Sequence, residues 1–146
     1  AIDRDGYTHT GDVAVQDDEG YLRLVDRTKD MINISGFKVF SKRVEEILTG
    51  HPAVELVATI GVPNPDLPGS EIVKAFIVLR QGGAKTDEEA VRADILAFAR
   101  SHLAPYEVPR AIEFRSELPK TLVGKYLRRV LVEEEKAMPP GGAAAA

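Results

Sequence analysis

The chain has 146 residues, 44% apolar and 29% charged, a composition that fits a globular protein with one core and room for a short appended piece. Its 19 basic and 23 acidic side chains leave a formal charge of −4, which argues against nucleic acid as a general partner. The absence of cysteine excludes a disulfide framework and a thiolate nucleophile. No apolar run approaches the roughly 18 residues of a membrane helix, and the opening "AIDRDGYTHT" is no signal peptide, so the expected location is the cytoplasm.

In chain order, residues 7–25 are predicted to form a hairpin. Val13 and Val15 precede the turn signal Asp17-Asp18-Glu19-Gly20, and Tyr21, Leu22, Leu24 and Val25 follow it. The charged joint "DRTKD" (26–30) has no apolar residue to anchor it. "MINISGFKVF" (31–40) reads as two short strands around Gly36, a natural positive-φ position. Ser41 is predicted to cap a short helix with Val44, Ile47 and Leu48 on one face, ended by Gly50 and Pro52. The apolar runs 56–62 and 72–79 read as buried strands, separated by the loop "PNPDLPGS". Thr86 and Glu89 suggest a capping box before a long helix carrying Val91, Ile95, Phe98, Ala99 and Leu103. Pro105 and Pro109 stop that helix, "AIEFR" alternates like a strand, and a last helix turns Leu127, Val130 and Leu131 inward.

After the hairpin the order β-β-α-β-β-α-β-α implies an α+β fold, a small sheet with packed helices. An isolated hairpin is marginal in water, so residues 1–25 are expected to belong to a larger partner domain. Residues 26–30 form the expected joint, 31–138 the compact domain, and 139–146 ("PPGGAAAA" from 139) a tail that builds no core. His9, His51 and His102 lack metal-ligand spacing, and no metal site is predicted; His102 is expected at the core or its rim.

The stretch "PKTLVGKYLRR" (119–129) invites comparison with a phosphate loop. That pattern needs glycine where this chain has Pro119, and Ser or Thr where it has Tyr126. By itself, a Gly124-Lys125 pair at a loop-to-helix junction is more often an exposed surface lysine.

Three motifs taken together change that reading. "THTGD" (8–12), "DRTKDMINISGFKV" (26–39) and "PKTLVGKYLR" (119–128) occur in order. With them, residues 6–132 resemble the C-terminal part of the acyl-adenylate-forming enzymes: acyl-CoA synthetases, peptide-synthetase adenylation domains and beetle luciferases. "GSEIVKAFIVL" and "HLAPYEVPRAIEFRSELPKT" are most similar to the medium- and long-chain fatty acyl-CoA ligase branch. The resemblance implies a lid domain, preceded by the last hairpin of an absent large N-terminal domain.

It also implies roles. Lys125 would be the catalytic lysine that contacts the carboxylate attacking the α-phosphate of ATP, where an ammonium offsets the approach of two anions. Asp12 and Arg27 would reach the nucleotide ribose, a carboxylate being able to accept two hydrogen bonds from a cis-diol. Lys29 would be the hinge, and Gly36 would line the pantetheine channel of CoA after the lid turns. ATP/AMP, CoA and Mg²⁺ are the implied cofactors, bound mainly by the large domain, and a fatty acid the implied substrate. A lysine acetyltransferase acting on Lys125 is a further implied partner. The implied activity is AMP-forming acid–CoA ligation, absent from the fragment alone. The alternatives are the lid of a carrier-protein-loading adenylation domain and a non-catalytic binding module. This chain departs from the family pattern at Ser41, Arg43, Ser70 and Glu107, where proline, glutamate, an uninterrupted Gly-Glu and lysine are usual.

Overall fold

A computed structural model describes residues 2–80, 87–120 and 127–138. The first unit is the antiparallel pair β1 (Asp12–Gln16) and β2 (Leu22–Arg27). Its turn is held by the Asp17 carboxylate, which accepts the Glu19 and Tyr21 N–H groups, and Gly20 supplies the positive φ. Val15, Tyr21, Leu22 and Leu24 are 52% to 71% exposed, so the hairpin has no core of its own. Strand pairing continues through Arg27, leaving only a single 3-10 turn, Thr28–Asp30, of the expected 26–30 joint outside it.

The rest is the predicted α+β unit, small sheets with three packed helices among the described residues. β3 (Met31–Ile34) and β4 (Phe37–Phe40) form a tight antiparallel pair. Both turn residues have positive φ, Ser35 at 51° and Gly36 at 93°, as the right-handed strand twist favours in a two-residue turn. The sequence signals only the glycine of that pair.

The main sheet has order β5-β6-β7: β5 (Val54–Pro63) antiparallel to β6 (Glu71–Leu79), and β6 parallel to β7 (Ala111–Phe114). A parallel neighbour demands a crossover, and α2 (Glu88–His102) supplies it. The unbroken apolar run of β6 follows from burial on both faces. Val73, Ala75 and Ile77 join Val44 and Leu48 of α1 (Ser41–Thr49) and Ile95 and Ala99 of α2 in one core. Phe76 and Val78 point the other way, to a second cluster with Leu118 and Leu131 of α3 (Arg128–Ala137).

Two caps differ from expectation. Ser41 does not cap α1; it is the buried first helical residue, and its hydroxyl donates to the Asp30 carbonyl at 2.7 Å. For α2 the cap is Asp87, whose carboxylate accepts the Glu89 N–H at 3.1 Å; Thr86 lies outside the described residues. For Ser41 the cause is the nearby Asp30 carbonyl, which takes its hydroxyl. His102 is exposed, its ring satisfied by Ser101 and the Phe98 carbonyl, which places it at the rim. The buried histidine is His51, edge-on to Phe98 and 3.1 Å from Asp94.

Candidate functional site

Asp12 and Arg27 sit opposite each other in the β1–β2 register, where cross-strand partners meet. The guanidinium Nε lies 3.5 Å from the Asp12 carboxylate, and the Thr10 hydroxyl fixes Asp12 by accepting its N–H at 3.2 Å. Both side chains open onto a hollow of about 300 Å³ shared with Asp26, Asp30, Lys42 and Arg128. A half-exposed carboxylate beside a guanidinium offers acceptors and donors together, a donor set that suits a vicinal diol next to a phosphate.

The chain then crosses from hairpin to lid in three residues. Thr28 N–H donates to the Gly11 carbonyl at 2.7 Å, binding it to the hairpin. Asp30 is bound to the lid twice, through its carbonyl to the Ser41 hydroxyl and through its carboxylate to Arg128 at 3.5 Å. Lys29, exposed, stands between these two attachments. A second link bypasses the turn: the Asp26 carboxylate accepts the Lys42 N–H at 3.2 Å. No side chain within α1 caps its N-terminus, so this acceptor from β2 serves as the cap.

Gly36 lies elsewhere, on the exposed tip of β3–β4, with nothing within 4 Å of a Cβ built on it. Two neighbours from the start of β6 hold that hairpin in place. The Glu71 carboxylate accepts the Asn33 N–H at 2.7 Å, and the Ser70 hydroxyl accepts the Ser35 N–H at 3.0 Å. Gly61 makes room for this, because a Cβ there would meet the Glu71 carboxyl and Ile32 at 2.9 Å. Beside the tip, Phe37 stacks on Tyr106 with ring centroids 4.7 Å apart.

Lys125 and Gly124 lie outside the described residues. The flanks of their segment are joined by Leu127 N–H donating to the Pro119 carbonyl at 2.9 Å. The next residue, Arg128, grips Glu45 of α1 with a two-point fork, at 3.2 Å through Nε and 2.5 Å through Nη2. Burial pushes the Glu45 carboxyl up, against the Arg128 and Thr59 donors that pull it down. Burial also works against the Arg128 charge, but Glu45, Asp30 and Asp26 outweigh it and hold its pKa up.

The structure thus brings Asp12 and Arg27 together at the end of the hairpin, next to the Thr28–Asp30 turn, and sets Gly36 on a separate surface. Sequence reading missed Asp26, Glu45, Ser70, Glu71 and Arg128 as parts of this frame. Their partners are distant in sequence: Asp26 and Arg128 stand inside the quoted motifs, but nothing local points to what they bond. Two departures from the family pattern prove to be partners: Arg43 donates to the buried Glu107 at 3.1 Å, and Glu107 also accepts the Ala104 N–H. Among the described residues no group of three or more potential ligands could hold a metal, so no Mg²⁺ ligand is assigned to them. Nor, among them, is any helix long and apolar enough to cross a membrane.

Comparison with known proteins places this geometry. Residues 43–125 match the family described as the AMP-binding enzyme C-terminal domain. A long-chain-fatty-acid–CoA ligase of Bacillus subtilis (strain 168) is 50% identical over 135 residues, covering 92% of this chain and 23% of the relative. Among solved structures, ATP-bound MatB from Rhodopseudomonas palustris superposes with a TM-score of 0.79 at 31% identity, covering 93% of this chain and 26% of that one. A Mycobacterium tuberculosis fatty acyl CoA synthetase gives 0.71 at 34% identity, covering 94% and 26%. The chain therefore spans about a quarter of the length of the proteins it matches. It belongs to the family of C-terminal domains of AMP-binding enzymes.

Proposed function

We propose that this chain is the mobile lid of an AMP-forming acid–CoA ligase acting on fatty acids, with residues 1–25 completing an adjoining large domain. The observation that carries the reading is the crossing at Lys29, where Thr28 is fastened to the hairpin and Asp30 to the lid. A chain tied on both sides of one exposed residue turns there and moves the lid as a body. Such a body presents different surfaces in turn, so each half-reaction has its own complementary site.

In the first half-reaction the fatty carboxylate attacks the α-phosphorus of ATP, and pyrophosphate leaves. Asp12 accepts hydrogen bonds from the ribose hydroxyls, Arg27 donates to the same sugar, and Lys125 neutralises charge growing on the phosphoryl oxygens. Mg²⁺ would be held by the phosphates and the large domain, where it would supply countercharge to the phosphate oxygens. The lid then turns at Lys29, withdrawing Lys125 and bringing Gly36 to the CoA channel. There the thiol sulfur of CoA attacks the acyl carbon, and AMP leaves. Gly36 suits this role because its open α-carbon lets a narrow chain pass close to backbone. The cytoplasm is the compartment consistent with this chemistry.

Lys125→Ala in the ligase carrying this chain tests the reading. Acyl-adenylate formation should fall by roughly 10²–10³-fold, while thioester formation from supplied adenylate stays within about threefold. Removing the same charge with a lysine acetyltransferase and acetyl-CoA should reproduce the split, with acetylation at Lys125 rather than Lys120 by mass spectrometry. Equal loss in both half-reactions would refute the assignment.

A further inference from the structure

Among the described residues Ser35 is the only non-glycine with a positive φ, at 51°. Crowding of Cβ against the following carbonyl opposes that left-handed conformation in a serine. Its neighbour Gly36, at 93°, adopts it freely. The shape of the β3–β4 turn, and with it the place of the Gly36 α-carbon, therefore depends on what holds Ser35. Ser70, the residue before β6, supplies that hold. It is 5% exposed, and its backbone is fixed twice: its N–H donates to the Leu67 carbonyl at 3.1 Å, and its carbonyl accepts the Asn64 N–H at 2.9 Å. From this base its hydroxyl accepts the Ser35 N–H at 3.0 Å and lies 3.1 Å from the Ser35 hydroxyl. The Ser70 proton has a further acceptor in the Glu71 carbonyl at 3.3 Å.

Two other contacts brace the same hairpin without touching its turn residues. The Glu71 carboxylate holds the Asn33 N–H, two residues before Ser35, and the Tyr106 ring stacks on Phe37, just after Gly36. Of the three, only the Ser70 bond reaches the left-handed pair itself. Ser70 is also a position where this chain departs from the family pattern, and an uninterrupted Gly-Glu would offer no hydroxyl there.

We infer that Ser70 is a positioning residue for the thioester half-reaction: its hydroxyl holds Ser35 in the left-handed form that sets the Gly36 α-carbon on the surface proposed to meet CoA. The inference rests on the proposed role of Gly36, and the two are separable by experiment. Ser70 itself touches no substrate in this account. It acts through the turn that it holds.

Ser70→Ala removes the acceptor and little volume. In the proposed ligase supplied with adenylate, kcat/KM for CoA should fall roughly tenfold or more, while adenylate formation stays within about threefold. Adding Ser35→Gly should restore kcat/KM for CoA to within about threefold of the parent value, because glycine takes the left-handed form without help. In the 146-residue chain, Ser70→Ala should speed amide exchange at Ser35 by about tenfold or more, while Asn33, held by Glu71, keeps its protection. An unchanged rate at Ser35, or exchange that rises equally at Asn33 and Ser35, would overturn the inference. So would equal loss of both half-reactions, or a double variant no better than Ser70→Ala. If Gly36→Val leaves kcat/KM for CoA unchanged, the reading of Gly36 as a CoA surface falls, and the exchange comparison still decides whether Ser70 holds the turn.

Discussion

Lys74 shows how a single residue of the sheet fastens α3. Its ammonium, 12% exposed, lies 2.8 Å from Glu113 on β7 and also pairs with Glu135 on α3. Arg115 repeats the pattern, reaching Glu113 at 2.8 Å and Glu134 at 2.7 Å. Burial pushes the Glu113 carboxyl up, but Lys74 and Arg115 outweigh it and hold its pKa below the ordinary 4.5. A carboxyl lowered in the folded state contributes stability above its unfolded pKa and loses it as pH falls through the folded value. Thermal unfolding should therefore steepen in its pH dependence below 4.5, and Glu113→Gln should flatten that limb. Parallel profiles for the two proteins would show that Glu113 contributes nothing to the acid response.

At the scale of elements, the sequence is most legible where periodicity and burial agree. β6 reads as buried on both sides because its residues alternate between two apolar clusters, and α2 reads as a helix because Ile95 and Ala99 recur on one face. The caps were less legible. Ser41 looks like a cap by local chemistry, yet the Asp30 carbonyl claims its hydroxyl, and Asp26, fifteen residues earlier than Ser41, takes the capping role. Likewise the joint could be read from its lack of apolar anchors, but not the bonds from Thr28 to Gly11 and from Asp30 to Arg128 that flank Lys29. First-turn N–H groups donate to whichever oxygen the tertiary fold brings, and sequence distance does not constrain that choice. Asp26→Ala should lower stability by about 1 kcal/mol in urea unfolding and speed exchange of the Lys42 amide. An unchanged Lys42 rate would mean α1 finds no cap in β2.

The chain crosses from hairpin to lid at Thr28–Asp30, and among the described residues the Asp26 cap on Lys42 is a further link beside that crossing. The exposed apolar side chains of β1–β2 give the hairpin a surface suited to packing on a larger body, while the lid carries both clusters of its own core. That asymmetry suits the proposed rotating lid, with the hairpin packed on a larger body and the lid self-sufficient. The proposed turn at Lys29 moves the lid relative to the hairpin. In the proposed ligase, paired spin labels at Val15 on the hairpin and Glu117 on the lid report it directly. With a non-reactive acyl-adenylate analogue alone, and then with CoA added, the distance distribution should move from one maximum to another, and Lys29→Pro should hold it at a single maximum. A distribution that stays the same with and without CoA in the unmodified enzyme would contradict the account.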